Sequence, residues 1–226
     1  MAQENKKLIK VGHRGAAGYE PENTLRSFQK AIELKADMIE FDVRLCKSGE
    51  LVIIHDDAVD RTTKGHGKVD DMTLTELKSL GIPTLTEVLE LVDRKIKINI
   101  ELKGKNTAMP VRAIIEQYIE KGWDYDDFLV SSFHHAELWK MRLTEWYVKL
   151  GVLSNVMPPV EFFSFVKAIG AYSVNVPVDR VDKKFVEKAH KNNLKVFVFA
   201  ANESGEIQKA KDLNADYICS DFPDKI

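Results

Sequence analysis

The chain has 226 residues, of which 44% are hydrophobic and 30% charged, and its formal net charge is −2 at pH 7. This length and composition predict a globular protein of one large domain or two small ones. The near-neutral charge argues against nucleic acid or an acidic membrane surface as a partner. No apolar run in the sequence is long enough to cross a bilayer, which argues against an integral membrane protein.

The N-terminus and the cysteines indicate a reducing compartment. Met1–Lys7 is polar and is not followed by the apolar core of a signal peptide. Cys46 and Cys219 are far apart in the sequence and fit no metal-binding spacing, so we expect two free, buried thiols. A cytoplasmic protein is therefore the expectation.

Short apolar segments alternate along the chain with segments of helical periodicity. The predicted strands are Leu8–His13, Met38–Leu45, Leu51–His55, Ile96–Lys103, Phe128–Ser132, Tyr147–Leu153, Tyr172–Val178, Lys195–Phe199 and Tyr217–Ser220. The predicted helices are Asn23–Leu34, Leu74–Leu80, Leu85–Val92, Met109–Lys121, His135–Leu143, Val160–Ala168, Val181–Asn192 and Glu203–Leu213. Eight parallel strands among these nine, in alternation with helices, predict a closed (β/α)8 TIM barrel, with an open doubly wound sheet as the alternative.

One long segment, Asp56–Pro83, interrupts this alternation. It is rich in glycine, threonine and aspartate and holds only the short helix Leu74–Leu80. Long loops of this kind in compact domains are usually functional. We therefore expect an insertion that forms a lid or side wall near the site. No shift in composition marks a second domain, so residues 1–226 are expected to form one barrel domain.

The first predicted strand ends in an unusual group of residues. The apolar segment that begins at Leu8 leads directly into His13, Arg14 and Gly15. The next element begins at Pro21-Glu22-Asn23-Thr24, where Asn23 or Thr24 is suited to cap a helix. A proton-transfer group and a permanent cation thus stand where a strand leads into a helix, which indicates a site at this strand end.

Two predicted strands carry acidic residues in alternation with apolar ones. Glu40 and Asp42 share one face of Met38–Leu45, and Glu101 lies on the polar face of Ile96–Lys103. The apolar face of a barrel strand packs on the surrounding helices, so these carboxylates are expected inside the barrel. They lie near the carboxyl ends of the strands, where barrel enzymes have their active sites.

Three inward carboxylates repel one another and need to be neutralised. A divalent cation that prefers oxygen ligands, Mg²⁺ or Ca²⁺, does this, so the three residues are candidate metal ligands. The alternative is a set of inward salt bridges to Lys103, Lys97 or Arg44.

A second histidine follows an apolar strand. His55 and Asp56 come directly after Ile54, so His13 and His55 are expected at the ends of neighbouring strands. Two imidazoles beside a metal can divide proton transfer between them, while a loop histidine bonded to Asp56 is the alternative. Arg14 and Lys103 supply positive charge of the kind that binds phosphate.

Taken together, the motifs resemble those of the glycerophosphodiester phosphodiesterase family. They are V-G-H-R-G, P-E-N-T, E-F-D-V, I-I-H-D, D-R-T-T-K-G-H-G, I-P-T-L-T-E-V-L and I-E-L-K, in this order along the first half of the chain. The second half matches more loosely, through S-S-F at Ser131–Phe133, the final S-D-F-P and the barrel periodicity. The combination of motifs is specific, although no single one would be.

The resemblance implies a (β/α)8 barrel and a metal-dependent hydrolysis of glycerophosphodiesters to an alcohol and glycerol 3-phosphate. By motif match it implies metal ligation by Glu40, Asp42 and Glu101, acid–base catalysis by His13 and His55, and substrate contact by Arg14, Lys103 and Phe133. One departure concerns the shape of the alcohol pocket, because this chain has Phe199-Ala200 where many relatives have a Trp-Thr pair. The expected partner is a small-molecule glycerophosphodiester, and a homo-oligomer stays open.

The implied mechanism leaves alternatives. We expect His13 to act as the base and His55 as the acid, and the residues alone leave the reverse assignment open. The nucleophile is water or the glycerol 2-hydroxyl, which would form a cyclic phosphate. Two other functions are weighed against hydrolysis: a phospholipase-type relative that stops at the cyclic product, and a non-catalytic barrel that binds a phosphate ligand.

Overall fold

In the computed structural model, which describes residues 7–155 and 160–226, strands and helices alternate as predicted. The strands are β1 (Ile9–Gly12), β2 (Met38–Leu45), β3 (Leu51–Ile53), β4 (Lys97–Leu102), β5 (Phe128–Ser132), β6 (Lys149–Leu153), β7 (Ser173–Pro177), β8 (Lys195–Phe199) and β9 (Tyr217–Ser220). The helices are α1 (Leu25–Glu33), α2 (Leu74–Ser79), α3 (Leu85–Val92), α4 (Ala108–Glu120), α5 (His135–Thr144), α6 (Val160–Ala168), α7 (Lys183–Lys191) and α8 (Ser204–Asp212). Of the polar N-terminal segment Met1–Lys7, residues 1–6 lie outside the described residues.

The sheet closes on itself because β1 pairs with both β9 and β2. Eight strands run parallel around the closed sheet in the order β1-β9-β8-β7-β6-β5-β4-β2. The helices lie between successive strands in the sequence and cover the outside of the sheet. The predicted (β/α)8 barrel is confirmed, and the open doubly wound sheet is excluded.

The third predicted strand does not belong to the parallel barrel. β3 pairs antiparallel with the carboxyl half of β2. Five residues separate the two strands, too few for a parallel crossover, and Gly49 turns the chain with a φ of 96°. The expectation that His13 and His55 lie at the ends of neighbouring strands is therefore wrong, because β1 pairs with β2 and β9, whereas β3 pairs with β2.

Alternation along β2 and β4 separates the outer core from the barrel interior. Phe41 and Ile100 point outward and are fully buried in the layer between strands and helices, where Phe28 of α1 also packs. The ring centroids of Phe28 and Phe41 lie 5.4 Å apart. The intervening residues of the same strands point inward, and this period of two places their carboxylates inside the barrel.

A separate apolar cluster fills the interior of the barrel. Its buried members are Val11, Met38, Leu129, Phe197, Tyr217 and Cys219. The two cysteines are both buried and free, as predicted. These packed side chains close the barrel on the side of the amino ends of the strands. The polar inward residues at the carboxyl ends therefore face a single open mouth.

The segment between β3 and α3 folds over a small core of its own. Its buried residues are Cys46, Val52, Ile54, Val59, Val69, Leu77 and Ile82. A short antiparallel bridge joins Ala58 and Lys68, and the N–H of Val69 donates to the carbonyl of Asp57 at 2.9 Å. This core and these bonds hold the chain that follows His55 beside the barrel mouth.

Candidate active site

The turn after β1 brings α1 close to the barrel mouth. Gly15 has a φ of 88°, and a Cβ added there would lie 2.5 Å from Oγ of Ser27. Only glycine fits this position. Thr24 begins the helix with a capping box, in which its Oγ1 accepts from the N–H of Ser27 at 3.2 Å. His13 and Arg14 are thereby held in a tight turn between β1 and α1.

Three carboxylates meet inside the barrel mouth, and we call Glu40, Asp42 and Glu101 the carboxylate cluster. Asp42 and Glu101 are direct neighbours in the parallel register of β2 and β4. Each residue offers one oxygen within 4.8 Å of the other two, and all three side chains are buried. The alternation expected from the sequence therefore brings the predicted metal ligands together.

Two groups of the β1–α1 turn orient the cluster. Nδ2 of Asn23 donates to Oδ2 of Asp42 at 2.9 Å, and the backbone N–H of Arg14 donates to Oε2 of Glu40 at 3.0 Å. Asn23 has a φ of 58°, a left-handed conformation that asparagine tolerates better than most residues. Of the two predicted capping residues, Thr24 caps the helix and Asn23 supports the cluster instead.

Two cations flank the cluster. Nζ of Lys103 lies 2.5 Å from Oε1 of Glu101 and 3.6 Å from Oδ1 of Asp42. Nε of Arg14 lies 3.5 Å from Oδ2 of Asp42. Lys103 thus forms the salt bridges considered in the sequence and shares the site with the carboxylates.

The other two salt-bridge partners considered in the sequence do not reach the cluster. Nε of Arg44 donates to the carbonyl oxygen of His55 at 2.9 Å. Lys97 is exposed at the amino end of β4, at the far end of the strand from Glu101. The alternative that salt bridges to Arg44 and Lys97 neutralise the cluster is therefore wrong.

Burial keeps the cluster partly protonated in the absence of a cation. It raises the pKa of Glu101 to about 8, an effect to which the charge of Asp42 adds and which Lys103 opposes. Burial and the charge of Asp42 also raise the pKa of Glu40. A bound divalent cation would stabilise the ionised carboxylates and offset the free-energy cost of burying their charges.

The donor set fits a hard divalent cation. All three ligands are carboxylates, and oxygen is the donor that Mg²⁺ and Ca²⁺ prefer. Oε1 of Glu101 is buried, and a cation, Nζ of Lys103, already lies beside it. These residues could hold a metal ion in the barrel mouth.

His13 is oriented by a carboxylate from the end of the chain. Nδ1 of His13 lies 2.6 Å from Oδ1 of Asp221, directly after β9, and Nδ2 of Asn202 donates to the other oxygen of Asp221 at 2.6 Å. Burial by itself would lower the pKa of His13. The hydrogen bond to Asp221 and the charge of Glu40 outweigh burial, so the pKa of His13 is raised.

His55 has its own carboxylate partner. Its Nδ1 lies 2.6 Å from Oδ1 of Asp56, and Nε of Arg61 donates to Oδ2 of Asp56 at 2.6 Å. Burial lowers the pKa of His55, and the positive charges of Arg14 and Lys103 add to this effect against the charge of Asp42. The two imidazoles thus differ in the direction of their pKa shifts.

These groups line one cavity of about 530 Å³. Its walls include His13, Arg14, His55, Glu101, Lys103, Phe133, Phe199 and Ala200. The rings of Phe133 and Phe199 meet edge to face with centroids 6.0 Å apart, and Nζ of Lys103 lies 5.3 Å from the centroid of Phe133. The cavity therefore combines an apolar wall with a charged one.

The sequence did not predict what several supporting residues contact. Asp221 belongs to the S-D-F-P motif and Asn23 to P-E-N-T, so both lay within quoted motifs, but their partners are distant in sequence. Arg61 belongs to D-R-T-T and was likewise given no role. Only the fold shows which side chains these residues contact.

The remaining histidines differ in position. His134 lines the cavity wall, with its Nε2 3.0 Å from the carbonyl of Lys103. His135 stacks on Phe165, and His66 pairs with an aspartate at the exposed surface. In the part of the chain described, none of the helices has the length and apolar character needed to span a bilayer.

Comparisons with known proteins agree with this geometry. Residues 13–225 match the model of the glycerophosphoryl diester phosphodiesterase family. A glycerophosphodiester phosphodiesterase of Caldanaerobacter subterraneus is 34% identical, over 97% of this chain and 96% of its own.

Two solved structures share the fold. The glycerophosphodiester phosphodiesterase of Thermotoga maritima is 30% identical, with a TM-score of 0.82 and 96% of each chain covered. A phosphodiesterase of Oleispira antarctica, in complex with its product sn-glycerol-3-phosphate, is 26% identical, with a TM-score of 0.87 and 97% and 95% of the two chains covered. The family resemblance seen in the sequence is confirmed, and this chain belongs to the glycerophosphoryl diester phosphodiesterase family.

Proposed function

We propose that this protein hydrolyses glycerophosphodiesters to an alcohol and glycerol 3-phosphate. One observation carries the proposal: a single cavity is lined by His13, His55, Arg14 and Lys103 together with Glu101 of the carboxylate cluster. The names of the relatives agree with it, and the Oleispira antarctica phosphodiesterase was solved with sn-glycerol-3-phosphate as its product.

The carboxylate cluster would hold a divalent metal ion, Mg²⁺ or Ca²⁺. When bound, such an ion offsets the negative charge that grows on the phosphate oxygens during the reaction. The raised pKa of Glu101 and the close approach of three buried carboxylates support this assignment, because both favour the uptake of a cation.

Arg14 and Lys103 bind the phosphate in this proposal. Both are half-buried beside the cluster, where their charges are screened less than at the surface. Nε of Arg14 is buried and has no hydrogen-bond acceptor, so it is available to a phosphate oxygen. The ring of Phe133 offers an apolar surface for the carbon atoms of the glycerol or alcohol group.

The two histidines transfer protons. His55, whose pKa is lowered, is suited to remain neutral and remove the proton of the nucleophile. His13, whose pKa is raised beside Asp221, is suited to carry a proton and give it to the departing alkoxide. The directions of these two pKa shifts favour His55 as the base and His13 as the acid, the reverse of the assignment expected from the sequence.

A product assay tests the proposal. The purified protein is incubated with glycerophosphocholine, glycerophosphoethanolamine, glycerophosphoglycerol and glycerophosphoinositol, with Mg²⁺ or Ca²⁺ and separately with a chelator. We expect metal-dependent release of glycerol 3-phosphate, measured with glycerol 3-phosphate dehydrogenase. A parallel preparation of His13→Ala controls for contaminating phosphodiesterases.

Phosphorus NMR of the same reactions separates the alternatives. A cyclic phosphate as the final product would assign the protein to the cyclising class. Saturable binding of every diester without any turnover would indicate a phosphate-binding barrel. A cyclic species that forms first and then decays to glycerol 3-phosphate would identify the glycerol 2-hydroxyl as the first nucleophile.

A further inference from the structure

One arginine outside the barrel connects two parts of the site. Arg61, in the segment between β3 and α3, donates from Nε and Nη2 to the two oxygens of Asp56, at 2.6 and 3.1 Å. It also donates from Nη1 and Nη2 to the two oxygens of Glu22, at 2.7 and 2.8 Å. A single guanidinium group thus pairs with two carboxylates.

Each of these carboxylates holds one group of the proposed machinery. Oδ1 of Asp56 lies 2.6 Å from Nδ1 of His55. Oε1 of Glu22 accepts a hydrogen bond from Nη1 of Arg14 at 2.7 Å. Asp56 therefore connects Arg61 to His55, a proposed proton-transfer group. Glu22 connects it to Arg14, a proposed phosphate-binding group.

A gap separates these two parts of the site. A cavity of about 280 Å³ lies between them, with Glu22 and Thr24 on one side and Ile54 and Thr62 on the other. Within the described residues, the hydrogen bonds that join turn 21–24 to segment 55–63 all come from Arg61. The guanidinium group of Arg61 spans this gap.

The chemistry of arginine suits this task better than a role in stability. The side chain is 48% exposed, and ion pairs at such positions are screened by water and contribute little to folding. A planar guanidinium has five donors in a fixed arrangement, so it can orient two carboxylates at once, whereas a lysine ammonium acts as a point charge.

We infer that Arg61 is a positioning residue that places His55 and Arg14 relative to each other through Asp56 and Glu22. The inference rests on the proposed function, because it concerns the geometry of that reaction. It assigns the inserted segment a part in assembling the site.

Kinetics of three variants test the inference. Arg61→Ala should lower kcat/KM by about 10²-fold, the usual cost of misplacing reacting groups by about 1 Å. Asp56→Asn should act mainly on kcat, because it loosens His55. Glu22→Gln should act mainly on KM, because it loosens Arg14, and Arg61→Ala should show both effects.

Rescue and a matched control separate positioning from folding. Guanidinium ion in the millimolar range should restore part of the activity of Arg61→Ala, whereas sodium chloride at equal ionic strength should not. Arg61→Lys should stay about tenfold or more below wild type, because an ammonium cannot engage both carboxylates. Arg26→Ala removes another arginine, 76% exposed and paired with Glu20, and should keep wild-type kinetics.

The outcomes distinguish this inference from the proposed function. If wild type does not hydrolyse any glycerophosphodiester, the proposed function fails. If wild type is active and Arg61→Ala keeps kcat/KM within about threefold of wild type, the inference is wrong, because misplacement of the reacting groups would cost about 10²-fold. A loss of activity matched by an equal loss of folded protein, with unchanged KM and no rescue, would also overturn it.

Discussion

Asp221 lies directly after the last barrel strand and places Oδ1 2.6 Å from Nδ1 of His13, across 208 positions of sequence. Its second oxygen accepts a hydrogen bond from Nδ2 of Asn202 at 2.6 Å. Both oxygens of this carboxylate therefore face donors. The pair selects the tautomer of His13 with a proton on Nδ1 and leaves Nε2 for proton transfer.

We expect Asp221→Asn to lower kcat by about 10²-fold, because acid–base groups typically contribute 10²–10⁴-fold and depend on the tautomer. An asparagine must turn its NH₂ group towards either His13 or Asn202, both of which donate. Steady-state kinetics with glycerophosphoethanolamine measure the effect. The matched control is Asp224→Asn, which removes a nearby carboxylate that bonds to Tyr19 at 2.9 Å. Equal activity of both variants would show that Asp221 does not orient His13.

We expect His13→Ala and His55→Ala each to lose most turnover, by about 10²–10⁴-fold, while the metal-dependent rise in unfolding temperature is retained. One imidazole has a raised pKa and the other a lowered pKa, so kcat/KM should fall at both ends of the pH range. His66→Ala is the control, since that histidine is exposed and lies in the same segment as His55. If a variant keeps more than about a tenth of wild-type turnover, the substituted histidine is not a member of the acid–base pair.

We expect one substitution in the carboxylate cluster to have opposite effects with and without metal. In chelator, Glu40→Gln should unfold at or above the temperature of wild type, because it removes a buried repelling charge. In millimolar Mg²⁺ or Ca²⁺, wild type should gain about 2.7 kcal/mol at a hundredfold excess over Kd, and the variant much less. Thermal unfolding in both conditions measures the difference.

Glu137→Gln controls for the loss of a buried carboxylate outside the cluster, and it should retain the metal-dependent gain. Asp42→Asn and Glu101→Gln should behave like Glu40→Gln. If wild type unfolds at the same temperature in chelator and in magnesium, calcium or manganese, the three residues are salt-bridge partners of Lys103 and do not form a metal site.

We expect Glu22 to stabilise the fold only above acidic pH. Burial opposes its ionisation, but Arg61 and Arg14 outweigh burial and lower the pKa of Glu22 from 4.5 to about 2. A lowered pKa stabilises the folded state above about pH 4.5, and this contribution disappears as the pH falls towards 2. The shift corresponds to at most about 3 kcal/mol, which solvent screening at the half-exposed Arg61 reduces to about 1 kcal/mol.

Urea unfolding of wild type and Glu22→Gln at a series of pH values measures this contribution. The difference in free energy of unfolding should be about 1 kcal/mol at pH 7 and should vanish near pH 2. Arg61→Ala should show a smaller difference at pH 7, because it removes one partner of Glu22. A difference that does not change with pH would contradict the assignment of the lowered pKa to this ion pair.

Local pattern was sufficient to predict the strands, the helices and the carboxylate cluster. Alternation along Met38–Leu45 determines that Glu40 and Asp42 share a face, and this depends only on the period of two in a strand. The register of β2 and β4 then brings Glu101 beside Asp42. Glu40, Asp42 and Glu101 could be predicted together because regular secondary structure repeats over short distances in the sequence.

The direction of β3 and the contacts of His55 could not be predicted in the same way. An isolated apolar run such as Leu51–Ile53 has the same pattern whether it pairs parallel or antiparallel. The five-residue connection excludes a parallel crossover, and the edge of β2 that accepts β3 depends on which edge is free after the barrel closes. For the same reason, the sequence indicated that His55 belongs to the site but did not show that an antiparallel strand places it there.

By itself, the sequence determined the family, the barrel and the residue types that meet at its mouth, because these depend on motifs and on local periodicity. Only the tertiary structure decided which side chains orient them: Asp221 beside His13, Asn23 beside Asp42, and Arg61 between Glu22 and Asp56. Three of these four contacts join residues 19 or more positions apart. Their geometry results from closure of the whole barrel, a cooperative property that no short stretch of sequence contains.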